Sequence, residues 1–95
     1  MSKKFIVELI GVFTQRDLPE DYEQFVEYKA TIENKEVTDQ DKIAVLRVKD
    51  TTSYQILFLN DYNSMDEIDK EIDETLDGKI YNFNIRKILE GHLNA

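Results

Sequence analysis

The sequence predicts an α+β domain in which an antiparallel sheet of about four strands carries one or two helices. Two observations lead to this prediction: four segments rich in β-branched and aromatic residues come first, and one segment with clear helical periodicity follows them. With 95 residues, 41% of them hydrophobic and 34% charged, the chain is expected to form a single α+β domain over 1–95. The predicted order is ββββα, followed by a strand or a helix.

The first strand is predicted over residues 4–14, because both of its alternating faces are largely apolar. Such a pattern is typical of a central strand that is covered on both sides. Gly11 lies inside this segment and indicates a β-bulge or a close backbone approach. The apolar residues are Phe5, Val7, Leu9 and Phe13 on one face and Ile6, Ile10 and Val12 on the other.

The second strand is predicted over residues 23–34, where apolar and polar side chains alternate. A helix over 20–30 is the alternative, but the period of two fits better. The inward residues of this strand would be Val26, Tyr28, Ala30 and Ile32.

Two further strands are predicted over 42–50 and 53–61, with a short hairpin turn at 50–52. Thr38 and Asp41 have the spacing of a cap for a helix over 39–48 instead. The β-branched Ile43, Val45 and Val48 favour the strand.

The clearest helix is predicted over 64–77. Ser64 and Glu67 have the spacing of a capping box, in which the hydroxyl accepts from the N–H of Glu67 and the carboxylate accepts from the N–H of Ser64. Gly78 provides a C-terminal stop. The apolar stripe consists of Met65, Ile68, Ile72 and Leu76.

The tail leaves strand and helix both open. Residues 79–83 can extend as a strand, and Asn84 can then cap a short helix whose inward residues are Ile85, Ile88, Leu89 and His92. Three strands are apolar on both faces, and two helices cannot cover both sides of a four-stranded sheet. The sheet is therefore expected to curl or to bury its second face against a partner, as in a homodimer.

The charge is concentrated in one segment. The chain has a net charge of −8, and residues 61–77 hold eight carboxylates and Lys70. Several carboxylates stand one helical turn apart, which slightly disfavours the helix, so a function for this acidic face is worth testing. Glu20, Asp21 and Glu23 would extend the face if their loop folds nearby. The predicted partner-binding residues are Asp61, Tyr62, Asp66, Glu67, Asp69, Glu71, Asp73, Glu74 and Asp77.

The functional hypothesis is an inhibitor. Helix 64–77 would mimic the charge of a nucleic acid and block a basic surface on a nuclease or other nucleic-acid-binding protein of the host, as anti-CRISPR and other anti-defence proteins do. Small size, acidity and the Lys- and Ile-rich composition favour a phage or mobile-element origin. The alternative is a structural or assembly subunit that self-associates through the sheet, with the acidic helix only solvating it.

Other classes of function are disfavoured by what the sequence lacks. Direct binding to nucleic acid or to an anionic membrane is disfavoured by the net charge of −8. Residues 61–72 begin like a calcium loop, but Met65, Asp66 and Ile72 replace required residues. His92 is the only histidine and there is no cysteine, so we expect no catalytic site, no metal and no cofactor. No leader or membrane span is expected, which favours the cytoplasm.

Overall fold

The computed structural model describes residues 5–75, 79–81 and 83–93 of the chain. Its elements follow the order β1, α1, β2, β3, α2, β4, α3. The strands are β1 (Phe5–Phe13), β2 (Ile43–Val48), β3 (Tyr54–Phe58) and β4 (Lys79–Tyr81), and the helices are α1 (Glu23–Ile32), α2 (Met65–Thr75) and α3 (Phe83–Leu93).

The strands form a single sheet in the order β3-β2-β1-β4. The three strands β1, β2 and β3 are antiparallel, as predicted, whereas β4 pairs parallel to β1. Because β3 and β4 therefore run in the same direction, α2 is the crossover helix between them. The α+β class is confirmed, and the predicted ββββα order is wrong.

The segment predicted as the second strand is a helix. Val26 and Ala30 of α1 are buried, whereas Tyr28 and Ile32, which the alternating pattern placed on the same face, are 70% and 63% exposed. Residues four apart share one side of a helix, so Val26 and Ala30 face the sheet together, and the partly buried Phe25 packs beside them. The strong helix formers Glu, Gln, Lys and Ala in this segment outweigh its period of two.

Helix α1 also provides the cover that the second face of the sheet was expected to need. One core lies between the sheet and the helices α2 and α3, and the other lies between the opposite face and α1. The first contains Val7, Ala44, Leu46, Leu57, Leu59, Met65, Ile68, Ile72, Ile85 and Leu89. The second contains Val26, Ala30, Ile43, Val45, Ile56 and Phe58. The argument for self-association through an open sheet face therefore no longer applies.

The predicted β-bulge lies in β1, where the pairing with β2 shifts between Leu9 and Gly11. The shift exchanges the faces beyond it, so Val12 packs with the core under α2 and Phe13 with the core under α1, opposite to the predicted sides. A Cβ atom on Gly11 would lie 2.6 Å from Cζ of Phe13, which explains the glycine.

The remaining boundaries differ in detail. The hairpin between β2 and β3 turns through Asp50, which has a φ of 63° and takes the role that glycine often has. Asn84 lies inside α3, which begins at Phe83, so it is not the predicted cap. Ile85 and Leu89 are buried as predicted, but Ile88 is 47% exposed. The tail contains both predicted elements, first a strand (β4) and then a helix (α3).

Candidate functional site

The acidic face of α2 is oriented by the apolar stripe on the opposite side of the helix. Met65, Ile68 and Ile72 are buried against the sheet, which confirms that part of the predicted stripe. Asp66 and Glu67 are consequently directed to solvent and are exposed. Leu76, the last member of the predicted stripe, lies outside the described residues.

The start of α2 has the predicted capping residues, with one changed bond. The N–H of Glu67 donates to Oγ of Ser64 at 3.4 Å, as expected. The Glu67 carboxylate accepts from the N–H of Asn63 at 2.8 Å, one residue before the predicted donor. Glu67 therefore contributes to the structure of the helix end as well as to the charge of the surface.

Two carboxylates on the sides of α2 are paired with cations from other elements. Asp69 lies 3.0 Å from the guanidinium of Arg86 on α3. Glu71 lies 3.2 Å from the ammonium group of Lys29 on α1, which also lies 3.3 Å from Glu33. These pairs offset like-charge repulsion along α2, so part of the acid run has a structural explanation.

Asp61 belongs to a second cluster of ions, centred on Lys35. The ammonium nitrogen of Lys35 lies 3.0 Å from Oδ1 of Asp61 and 3.0 Å from Oδ1 of Asp41, and 5.2 Å from the centroid of the Phe58 ring. The backbone N–H of Thr38 donates to Oδ2 of Asp41 at 2.9 Å. Thr38 and Asp41 therefore form a turn rather than the helix cap considered above.

Burial sets the electrostatics of this cluster, in which the Asp41 side chain is only 9% exposed. Burial alone would raise the pKa of Asp41, but the Thr38 N–H and the Lys35 ammonium group outweigh it and hold the pKa below its usual value. Burial likewise acts to lower the pKa of Lys35, and hydrogen bonds to Asp61 and Asp41 raise it overall. The loop between α1 and β2 is therefore held in place by side chains that are ionised.

Tyr62 is half-buried rather than presented to a partner. Burial raises the pKa of its hydroxyl strongly, and the charges of Glu71, Glu33, Asp61 and Glu67 raise it further. The ring packs against the core under α2 and α3. Its predicted role as an interface anchor is not favoured by this placement.

The structure thus divides the eight predicted partner-binding carboxylates into three groups. Asp66 and Glu67 are exposed on the outer face, while Asp61, Asp69 and Glu71 are engaged in ion pairs within the chain. The side chains of Asp73 and Glu74, and the whole of Asp77, lie outside the described residues. Glu20 and Asp21 lie in the 3-10 turn that immediately precedes α1, and Glu23 begins α1, so all three belong with the helix on the other face of the sheet.

The sequence pattern did not predict three cations of the chain that form ion pairs with these acids, namely Lys29, Lys35 and Arg86. Lys29 binds Glu71, Lys35 binds Asp61, and Arg86 binds Asp69. The two residues of each pair are far apart in sequence, so no local spacing indicates the contact. The position of Lys29 could only follow from recognising α1 as a helix.

In the part of the chain that the structure describes, no group of three or more His, Cys, Asp or Glu residues is arranged to hold a metal ion. No helix in that same part is long and apolar enough to span a membrane. His92 is half-buried in the last turn of α3, where the helix dipole favours a cation.

Comparison with known proteins places the chain among uncharacterized relatives. Residues 5–93 match the model of the family described as "Domain of unknown function (DUF749)". The chain is 33% identical over 69 residues to an uncharacterized protein of Methanocaldococcus jannaschii, MJ0858, and the match covers 72% of this chain and 61% of that protein.

A solved structure, that of MTH1880 from Methanobacterium thermoautotrophicum, is 46% identical to the chain. It aligns over 92% of this chain and 96% of that one with a TM-score of 0.41.

Proposed function

We propose a function for this chain, which belongs to the DUF749 family of domains of unknown function, from the distribution of its own charges. It is a protein-binding domain whose α2 surface occupies a basic nucleic-acid-binding surface of another protein and so inhibits it. The observation that carries the proposal is the segment 61–77, which holds eight carboxylates against Lys70 and presents Asp66 and Glu67 to solvent.

The geometry suits contact with a surface built to hold phosphates. Asp66 and Glu67 are neighbours in the first turn of α2 and present two exposed negative charges to such a surface. A basic surface would be attracted at long range by the net charge of −8 and would meet Asp66 and Glu67 first. The buried stripe of α2 holds these carboxylates on a helix rather than on a loop.

The ion pairs restrict which carboxylates can take part. Asp69 and Glu71 already have cations within the chain, so a partner would have to displace Arg86 or Lys29 to use them. The proposed contact is therefore centred on the first turn of α2. Asp73, Glu74 and Asp77 are included on the sequence alone.

The test uses amide substitutions, which remove charge and keep shape. In Asp66→Asn/Glu67→Gln, the side-chain carbonyl of the introduced glutamine can still accept the helix-end N–H that Glu67 accepts at 2.8 Å. The matched control is Asp17→Asn/Asp39→Asn, which removes two exposed charges outside α2. Circular dichroism and urea denaturation would establish that both variants remain folded.

The three immobilised proteins would be offered a lysate fraction enriched on duplex DNA, and retained proteins would be identified by mass spectrometry. We expect a DNA-binding protein that is held by the wild type and by the control, is lost with Asp66→Asn/Glu67→Gln, and is released by added duplex DNA. Equal retention on all three proteins, or none on the wild type, would contradict the proposal.

The second candidate function is that of an assembly subunit that self-associates. The position of α1 changes which surface two copies of the chain could use. Since α1 covers the second sheet face, apolar contact between copies would have to use exposed residues such as Tyr28 and Ile32. Light scattering of the wild type at micromolar concentration measures its mass in solution. A dimer mass would support the assembly function, whereas the inhibitor proposal requires no dimer.

A further inference from the structure

A groove runs beside α1, on the face of the sheet opposite to α2. It has a volume of about 1010 Å³ and is bordered by α1 and by the two loops that precede and follow this helix. Its apolar lining consists of Leu18, Val26, Ala30 and Val37. Val26 and Ala30 are buried by the core below, whereas Leu18 and Val37 are half-buried at the base of the loops.

The rim of this α1 groove is acidic. Glu23, Glu27 and Glu36 line it and are all exposed. Lys35 also lines it, but its ammonium group is held 3.0 Å from Asp41 and 3.0 Å from Asp61. The charges that face the groove from its rim are therefore negative, and the lining between them combines the four apolar residues with the polar Gln15, Thr31 and Asn34.

The acidic edge continues past the groove at the start of α1. Glu20 and Asp21 are exposed and adjoin a shallower depression that they share with Glu23 and Glu27. The first turns of α1 and the residues before them thus present carboxylates at and next to the α1 groove. A partner that matches this surface needs apolar side chains flanked by Lys or Arg.

The elements around the groove decide the backbone conformation of that partner. An extended segment gains its affinity by pairing its backbone with a strand edge, but the groove is bordered by a helix and two loops. Where an extended backbone lay over Leu18 and Val37, its N–H and C=O groups would lose water without gaining backbone partners, which is costly. A helix satisfies its own backbone groups and can lie on such a surface.

We propose that the α1 groove binds a basic amphipathic helix of a partner protein, with the apolar face of that helix on Leu18, Val26, Ala30 and Val37 and its Lys or Arg side chains against Glu23, Glu27 and Glu36. This site does not depend on the α2 surface proposed above. The two lie on helices that cover opposite faces of the sheet.

The test uses a synthetic 18-residue peptide of Leu and Lys whose pattern forms an amphipathic helix. Two control peptides keep its length: an isomer of equal composition with the Leu residues scattered around the helix, and an amphipathic helix of Leu and Glu. Binding would be measured by fluorescence anisotropy at 150 mM salt, where exposed charges beyond about 8 Å are largely screened. We expect the amphipathic Lys peptide to bind at least tenfold more tightly than either control.

Two protein variants locate the site. Glu23→Gln/Glu27→Gln removes two rim charges on the exposed side of α1, and Asp66→Asn/Glu67→Gln removes two from α2. The first is expected to weaken peptide binding about three- to tenfold, as two exposed ion pairs would, and the second to change it less than twofold. Amide shifts at Leu18 and Val37 in nuclear magnetic resonance spectra would show that the apolar lining is engaged.

Three outcomes would overturn the α1 site. No binding to the wild type would do so, and so would equal affinity for the scattered isomer, which would reduce the effect to charge alone. A loss confined to Asp66→Asn/Glu67→Gln would place the peptide on α2 and leave only the α2 proposal standing. Loss of DNA-binding partners on the α2 variant with normal peptide binding would leave both proposals intact.

Discussion

Replacement of Lys35 by Met is expected to lower the free energy of unfolding by about 2–3 kcal/mol at pH 7. Removing one partner of a buried ion pair costs about 3–5 kcal/mol, because the remaining charge is left unpaired. The Asp41 side chain is 9% exposed and would be that charge, whereas Asp61 is 46% exposed and can be solvated. Since Thr38 continues to donate to Asp41, the cost falls below the full value. Met preserves the aliphatic stem near Phe58.

The cost of this substitution should depend on pH. The pKa of Asp41 is lowered in the folded protein, so its ion pair stabilises the fold above the unfolded pKa of about 3.9. That contribution is lost as the pH falls through the lower, folded pKa. Without Lys35, only the Thr38 hydrogen bonds would oppose the effect of burial, so the pKa of Asp41 would rise from its lowered value, and protonation near pH 3 would remove the unpaired charge. The destabilisation should therefore fall below about 1 kcal/mol near pH 3.

Urea denaturation followed by circular dichroism measures this directly, and urea, being uncharged, leaves the ion pairs unscreened. Wild type, Lys35→Met, Asp41→Asn and the double variant would be compared at pH 7 and pH 3. We expect the two single substitutions to be non-additive at pH 7 by at least about 1 kcal/mol, since they remove the same contact. Equal destabilisation by Lys35→Met at both pH values, or simple additivity, would refute the reasoning.

Three further substitutions test the framework of the site by the same denaturation assay. Ile68→Ala should cost about 2–5 kcal/mol, because Ile68 is fully buried beneath α2; a loss under 1 kcal/mol would contradict its place in the core. Gly11→Ala should cost about 1–3 kcal/mol, since the new Cβ would lie 2.6 Å from the Phe13 ring, and a neutral result would show that the ring moves freely. Glu67→Ala should cost about 0.5–1 kcal/mol through the lost backbone bond at the helix start. Asp66→Ala serves as its control, and equal losses from the two would show that charge alone stabilises this end.

The sequence identified those elements whose local pattern has one solution. In α2, the capping residues and the apolar stripe both require a helix, and Ser64, Glu67, Ile68 and Ile72 take the expected places. The segment at 23–34 is compatible with two structures. Its apolar residues recur with the period of two of a strand, and Val26 and Ala30 have the spacing of four residues that suits a helix. Packing decides between them: the second sheet face needs a cover, and a helix carrying Val26 and Ala30 provides it.

The sequence predicts the location of the candidate site, but it does not predict which of its carboxylates are neutralised by ion pairs. A run of acids on a helix with one buried face must place some carboxylates in solvent, and Asp66 and Glu67 meet that expectation. Which acids are neutralised depends on contacts between elements. The cations of α1 and α3 lie beside α2 only in the assembled fold, so linear spacing carries no record of the pairs.

The acidic run therefore contains carboxylates with two different physical roles, and a variant that breaks a structural contact while it removes surface charge cannot be interpreted. Glu67→Gln avoids this problem, because the introduced side chain can still accept the Asn63 N–H. Charge reversal at Glu71 would place a lysine beside Lys29, and the resulting repulsion would disturb the contact between α1 and α2 whether or not a partner exists. Neutralisation at Asp66 changes an exposed group on the outer face and alters mainly the surface potential. Loss of binding after the first change is open to a structural explanation, whereas loss after the second is not. The function of this domain is best tested through the carboxylates that its own fold does not use.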